Sequence, residues 1–245
     1  MTKQLKLSLT LAGAFAILVV TLLTAAALRS DNSTDGNVTD DGNLTTTGES
    51  RLVRSDSHIL GTPAGATPSS PREEAEPADA VEAVGDSVTF VEFLDFECEA
   101  CRSAYPFVEE LRAEYEGRVT FVARYFPMPG HFNADRAARA VEASARQGAF
   151  EAMYQRMYET QEQWGGQRVP LDDLFRSFAE DLNLDMAAWD AAYASRATSE
   201  RVAKDVEDGI ALGVQGTPTF FIDGKRLEPR IYGDFADALD AALAD

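Results

Sequence analysis

The chain has 245 residues, 41 acidic against 22 basic, and a formal net charge of -19. That balance argues against nucleic acid or an anionic membrane surface as the main ligand, since both repel an acidic protein. With two cysteines and two histidines in all, a four-ligand zinc site is poorly supplied, and one cysteine pair falls short of the several bridges of a stapled secreted domain.

Residues 1–6 carry Lys3 and Lys6, and no charge follows from Leu7 to Leu28. Those roughly 22 residues would span ~33 Å as a helix, enough to cross a bilayer. The lysines before the run orient it with the N-terminus in the cytoplasm and the rest exported. The run outlasts an ordinary signal-peptide core, which favours an uncleaved anchor over secretion after cleavage near Ala27. Residues 29–80 are rich in Ser, Thr, Asp, Asn, Gly and Pro and read as a flexible linker. One piece departs from that composition: "RLVRSDSHIL", residues 51–60, reads as a short strand or docking segment.

A folded domain is expected over 81–245. "SVTFVEFLDF" has the β-branched and aromatic density of a buried strand. "CEACRSAYPFVEELRAEY" has helical spacing, with Ala104, Phe107, Leu111 and Tyr115 on one side and a kink expected at Pro106. "RVTFVARYF" is a second strand. From about 130 to 213 the chain is strongly helical, with Trp164 and Trp189 expected as packing residues and His131 expected to help start the helix at Asn133. "TPTFFIDGKRLEP" reads as strand, Asp223-Gly224 turn, strand. "DFADALDAALAD" closes the chain as an amphipathic helix.

Cys98 and Cys101 sit three apart, a spacing that two randomly placed cysteines would show about one time in a hundred. Cys98 falls where a strand gives way to a helix. Free N–H groups and the helix dipole at such a point stabilise a thiolate, the attacking species in disulfide exchange. Cys101, one turn further, is close enough to resolve a mixed disulfide. Glu92 shares a strand face with Phe90, Leu94 and Phe96 by period-two alternation. Burial there raises the pKa of a carboxyl and suits it to exchange the Cys101 proton.

"FLDFECEAC", "GTPTFFIDG" and the helical block between them make residues 87–244 resemble the DsbA-like branch of the thioredoxin superfamily. The "SDSH" and "YFPMPGH" runs are most similar to its membrane-anchored actinobacterial members. The resemblance implies an α/β thioredoxin fold with an inserted helical domain, here preceded by a transmembrane helix and a disordered linker. It also implies a thiol:disulfide oxidoreductase that needs no cofactor. It places the family's buried acid at Glu92 and a cis-proline at Pro218. Thr217 would then offer backbone hydrogen bonds to an extended substrate strand. The implied partners are exported cysteine-containing proteins and a quinone-linked membrane protein that reoxidises the pair.

Glu99 and Ala100, the dipeptide between the cysteines, depart from the Pro-His of strong oxidants and the Gly-Pro of reductants. With Asp95 and Glu97 beside them, they are expected to surround Cys98 with negative charge and hold its pKa near neutrality. Disulfide formation in exported proteins is the leading reading. A reductase or isomerase of the same fold, a tethered peptide-binding module or chaperone without chemistry, and a metal chaperone are the alternatives.

Overall fold

Valine, threonine and aromatic residues dominate Val88–Leu94 and Val119–Tyr125, and their side chains suit a pleated, buried surface. In the computed structural model, which describes residues 51–61 and 87–244, these stretches are strands β2 and β3, paired in parallel from Val88↔Val119 to Leu94↔Tyr125. Strand β1 (His58–Leu60) runs antiparallel along the outer side of β3. Strand β4 (Thr219–Ile222) pairs antiparallel with β2 and turns into β5 (Lys225–Leu227). The sheet order is β1-β3-β2-β4-β5. Asp223 and Gly224, at φ 46° and 78°, give the β4–β5 turn the positive dihedrals that a two-residue hairpin loop requires.

Parallel strands need a crossover, and helix α1 (Glu99–Glu114) supplies it between β2 and β3. After β3 come α2 (Ala134–Ala145), α3 (Phe150–Trp164), α4 (Asp172–Asp181), α5 (Met186–Tyr193) and α6 (Arg196–Ala211). Helix α7 (Gly233–Ala244) follows the hairpin. Alternation along the strands divides the core. Phe90, Leu94, Phe121, Tyr125 and Phe220 face the larger cluster, which also holds both tryptophans. Val91, Phe93, Val122 and Phe221 face the smaller one, with Leu52, Phe126 and Val214. Gly209 lets α6 approach this second face: a Cβ there would stand 2.7 Å from the Phe126 ring and 3.1 Å from Phe93.

Of the 51–60 piece, read as a short strand or docking segment, His58–Leu60 is strand, residues 51 and 52 are helical, and the carbonyls of Arg51 and Leu52 accept from Arg124 Nη1 at 2.6 and 2.5 Å. One local expectation is corrected. The buried stripe of α1 is Cys101, Val108 and Leu111, continued by Tyr115, and Phe107 is 47% exposed. One residue of offset turns a side chain about 100° around a helix, enough to swing Phe107 out. Pro106 lies inside α1, which runs unbroken past it to Glu114. The uncharged run at 7–28, and the linker apart from 51–61, lie outside the described residues. Among the described residues no helix is long and apolar enough to cross a membrane.

Candidate active site

Cys98 is the N-cap of α1, with extended backbone at φ −73° and ψ 122°, so its sulfur stands before the unpaired N–H groups of the first helical turn. Both cysteines are free thiols. Cys98 is 9% exposed and Cys101 1%. The Cys98 thiol donates to the Thr217 carbonyl at 3.4 Å. Thr217-Pro218 is a cis peptide, and the Thr217 hydroxyl is buried beside it. The Asp95 N–H donates to Cys101 Sγ at 3.5 Å.

The two thiols differ sharply in acidity. The Cys101 thiol, acting as a donor, brings Cys98 down to about 5; burial opposes this, while the N–H groups of Cys101 and Ala100 and the Thr217 side chain add to it. Burial pushes Cys101 well above its ordinary range, reinforced by its bond to Cys98 and by the charges of Glu92 and Cys98. Glu92, in the middle of β2 and 2% exposed, is pushed up to about 8 by burial, with like charge from Glu109 and Cys98 adding to it. The site thus holds one ready thiolate, one reluctant thiol and a carboxyl that is mostly protonated at neutral pH.

The expected ring of negative charge around Cys98 is not what the structure contains. Asp95 is 1% exposed and Glu97 4%, and both turn inward to backbone donors. Asp95 accepts from the N–H of Glu97 at 2.8 Å and of Met128 at 2.9 Å. Glu97 accepts from the N–H of Asn133 at 2.6 Å and of Gly166 at 3.1 Å. Short acidic side chains in loops seek such donors, so these two staple the cysteine loop to the helical insertion. Glu99 and Ala100 are exposed at the start of α1. Glu99 is not among the main influences on Cys98, and the expectation of a near-neutral pKa is corrected downward.

His131 has a different place from the one expected. It does not cap α2; its Nδ1 lies 2.6 Å from Asp95 Oδ2. Burial lowers its pKa, but the Asp95 hydrogen bond and the charges of Asp95, Cys98 and Glu97 outweigh this and raise it. The imidazole thus holds its proton more tightly than a free one, and the Cys98 charge is among the reasons. Gln161 of α3 was missed altogether. Its amide donates to the carbonyls of Phe96 and Cys98 at 2.6 and 3.0 Å, holding the loop from the insertion side. A single Gln in a helical run carries no spacing signal that could single it out.

Among the described residues no cluster of three or more Cys, His, Asp and Glu side chains could hold a metal ion.

A thioredoxin family model matches residues 84–241. The chain is 40% identical over 140 residues to the Na(+)/H(+) antiporter NhaA 3 of Salinispora tropica, a match covering 57% of this chain and 20% of that protein. It spans about a fifth of the length of the curated relatives it matches. Among solved structures, a thioredoxin-like oxidoreductase from Silicibacter pomeroyi is 26% identical with a TM-score of 0.55, over 64% of this chain and 87% of that one. Oxidised BdbD from Bacillus subtilis is 20% identical with a TM-score of 0.59, over 66% and 90%.

Proposed function

The chain belongs to the thioredoxin family, and from that premise we propose that it is a thiol–disulfide oxidoreductase that forms disulfides in exported proteins while tethered to the outer face of the cell membrane. The observation that carries the reading is the inequality of the two thiols, about 5 for Cys98 and well above 9 for Cys101. At pH 7 roughly ninety-nine in a hundred reduced molecules then carry a Cys98 thiolate. A stabilised thiolate favours the reduced enzyme, and so makes the Cys98–Cys101 disulfide an oxidant. This favours oxidase over reductase.

In the oxidising direction a substrate thiolate attacks Cys98 Sγ. The Cys98–Cys101 bond breaks, and its electron pair leaves on Cys101, which takes the proton of neutral Glu92. A second substrate thiolate then attacks the first substrate sulfur in the mixed disulfide, forming the substrate disulfide and releasing Cys98 as a thiolate. The substrate is oxidised by two electrons and the enzyme reduced by two. Thr217 and Pro218 face Cys98 where an extended substrate would lie, and a quinone-linked membrane partner would restore the disulfide.

The test is Cys101→Ala, which should accumulate mixed disulfides through Cys98 with exported proteins. Failure to trap any, with full biological activity in Cys98→Ala, would favour a binding module. The tether is checked separately: an impermeant thiol reagent should label reduced Cys98 in intact cells, and labelling only after lysis would overturn the placement.

A further inference from the structure

Two helical stripes face each other behind the cysteine pair. On α1, Cys101, Tyr105, Glu109 and Arg112 follow at spacings of four, four and three, which keeps them on one side. On α3, Glu151, Tyr154 and Tyr158 do the same at three and four. The stripes touch: the Tyr105 ring lies 5.6 Å from Tyr154 and 5.2 Å from Tyr158, and those two lie 5.2 Å apart. At the far end Arg112 Nη1 donates to both Glu109 carboxylate oxygens at 2.7 and 2.8 Å, and Nη2 donates to Glu151. There the side chains of Glu109 and Glu151 are 28% and 42% exposed, and a cleft of about 380 Å³ opens beside Glu109 and Arg112.

This seam concentrates unmet polar groups. Tyr154 is 0% and Tyr158 3% exposed, yet neither hydroxyl has a hydrogen-bond partner among the described residues, and nor does Arg112 Nε. Buried hydroxyls are nearly always bonded, so each exception calls for an explanation. Glu92 charge acts on Tyr154 and Tyr158, Cys101 charge acts on Tyr158, and Glu109 charge acts on Tyr154. Burial holds both tyrosines well above the ordinary phenol range, so they remain donors and pass a proton on only as they receive one.

We propose that Tyr154 and Tyr158 form a proton path between Glu92 and the solvent at the Glu109–Arg112–Glu151 mouth. After Glu92 gives its proton to the departing Cys101 thiolate, the buried carboxylate accepts a hydrogen bond from a tyrosine hydroxyl and regains a proton along the seam. In the reverse reaction the proton leaves the same way. The tyrosines are positioning residues, and the inference rests on the oxidoreductase reading above for its role in turnover. The charged and titratable groups that act with Glu92 are Cys98 at the N-cap of α1, Cys101 and Glu109 of α1, and the two tyrosines of α3.

The test uses Tyr154→Phe, Tyr158→Phe and the double variant, which keep the rings and remove only the hydroxyls. In stopped-flow exchange between pH 5 and 9, the double variant should slow the step that protonates or deprotonates Cys101 by ~10-fold. Infrared titration of the Glu92 carboxyl should show its midpoint raised by about one unit, since the carboxylate loses its donors. The unfolding midpoint should stay or rise, because an unpartnered buried hydroxyl has been removed. Unchanged rates and an unchanged Glu92 titration in the double variant would overturn the path, as would a rate loss that tracks lost stability at every pH. If the wild type shows no exchange at all, the oxidoreductase reading fails, and the infrared shift alone decides whether the tyrosines serve Glu92.

Discussion

Two charged side chains are buried at neighbouring points of the same sheet and are treated in opposite ways. Glu92 of β2 pairs across to Ala123 of β3, one residue from Arg124. Arg124 is 0% exposed and Glu92 2%, and alternation sends them to opposite faces. Arg124 is fully answered: Nε donates to Asp205 at 2.7 Å, Nη2 to Asp208 at 2.7 Å, and Nη1 to the carbonyls of Arg51 and Leu52. Glu92 has no hydrogen bond among the described residues, and burial, with like charge from Glu109 and Cys98 added, raises its pKa to about 8. A buried charge with partners on every side fixes structure; a buried acid left without them can exchange a proton. The first face holds residues 51–54 against the domain, with Leu52 in its core and Arg54 bonded to Asp208. The second face serves the cysteines.

The sharpest way to break this contrast is to unpair the arginine. Arg124→Met leaves Asp205 and Asp208 buried without their main partner and frees two inward carbonyls. Losing one member of a buried ionic network costs about 3–5 kcal/mol. Urea unfolding should show a loss of that size, with exchange per folded molecule unchanged. A loss below about 1 kcal/mol would mean that the network only decorates a face held by Leu52 and its neighbours.

The matching change on the other face is Glu92→Gln. In the oxidising direction it should slow formation of the mixed disulfide, the step in which Cys101 leaves and takes the Glu92 proton, more than its release by the second substrate thiolate, by ~10²-fold, at the low end of general acid–base help. Identical kinetics at pH 6 and pH 8 in wild type and variant would remove Glu92 from the mechanism.

A third comparison sets the two titrating groups of the site against each other. Glu92 holds its proton more tightly folded than unfolded, about 8 against 4.5, so its contribution is full below 4.5 and is lost as pH rises toward 8. Cys98 holds its proton less tightly folded, about 5 against 9.0, so its contribution is present above 9 and is lost as pH falls toward 5. Between about pH 5 and 8 the two slopes oppose, each at most ~1.4 kcal/mol per pH unit. Reduced protein should therefore show nearly flat stability there. Oxidised protein has no Cys98 thiolate, and should lose stability as pH rises through the same window. Parallel curves for the two redox forms would mean that one of the assigned shifts is absent.

The sequence made some of this legible and hid the rest for physical reasons. Strands β2 and β3 are dense in β-branched and aromatic residues and largely buried on both faces, and such runs need no partner to be read. Asp223-Gly224 carries its turn type in its own residue chemistry. Cys98 at a strand-to-helix junction, and Glu92 on the face of Phe90 and Leu94, follow from local periodicity. The direction of Asp95 and Glu97 does not, because their partners, Met128, Asn133, His131 and Gly166, lie more than thirty residues away. The apolar residues of 51–60 suggested a docking segment, but its partners Arg124 and Asp208 lie far along the chain and composition could not name them. Tyr154 and Tyr158 look like ordinary aromatic packing until their hydroxyls are found without partners.

The smallest expected effect belongs to Glu99, which in the sequence looks like the strongest restraint on Cys98. It is exposed at the start of α1. For a solvated charge about 7 Å away in a dielectric near that of water, 332/(ε·r) gives ~0.6 kcal/mol, and salt reduces it further. Glu99→Gln should therefore lower the Cys98 pKa by less than about half a unit. The reduction potential should rise by no more than ~13 mV, since ~30 mV corresponds to ~1.4 kcal/mol for two electrons. With Cys98 already near 5, the thiolate dominates at pH 7, so whatever shift exists appears in full in the potential. Thiolate absorbance against pH and equilibration with glutathione measure the two quantities. A drop of a full unit or more would show that the Glu99 charge reaches the sulfur through a less screened path, and that the helix start, the Cys101 thiol and Thr217 hold the thiolate against a larger opposing field than the exposure of Glu99 implies.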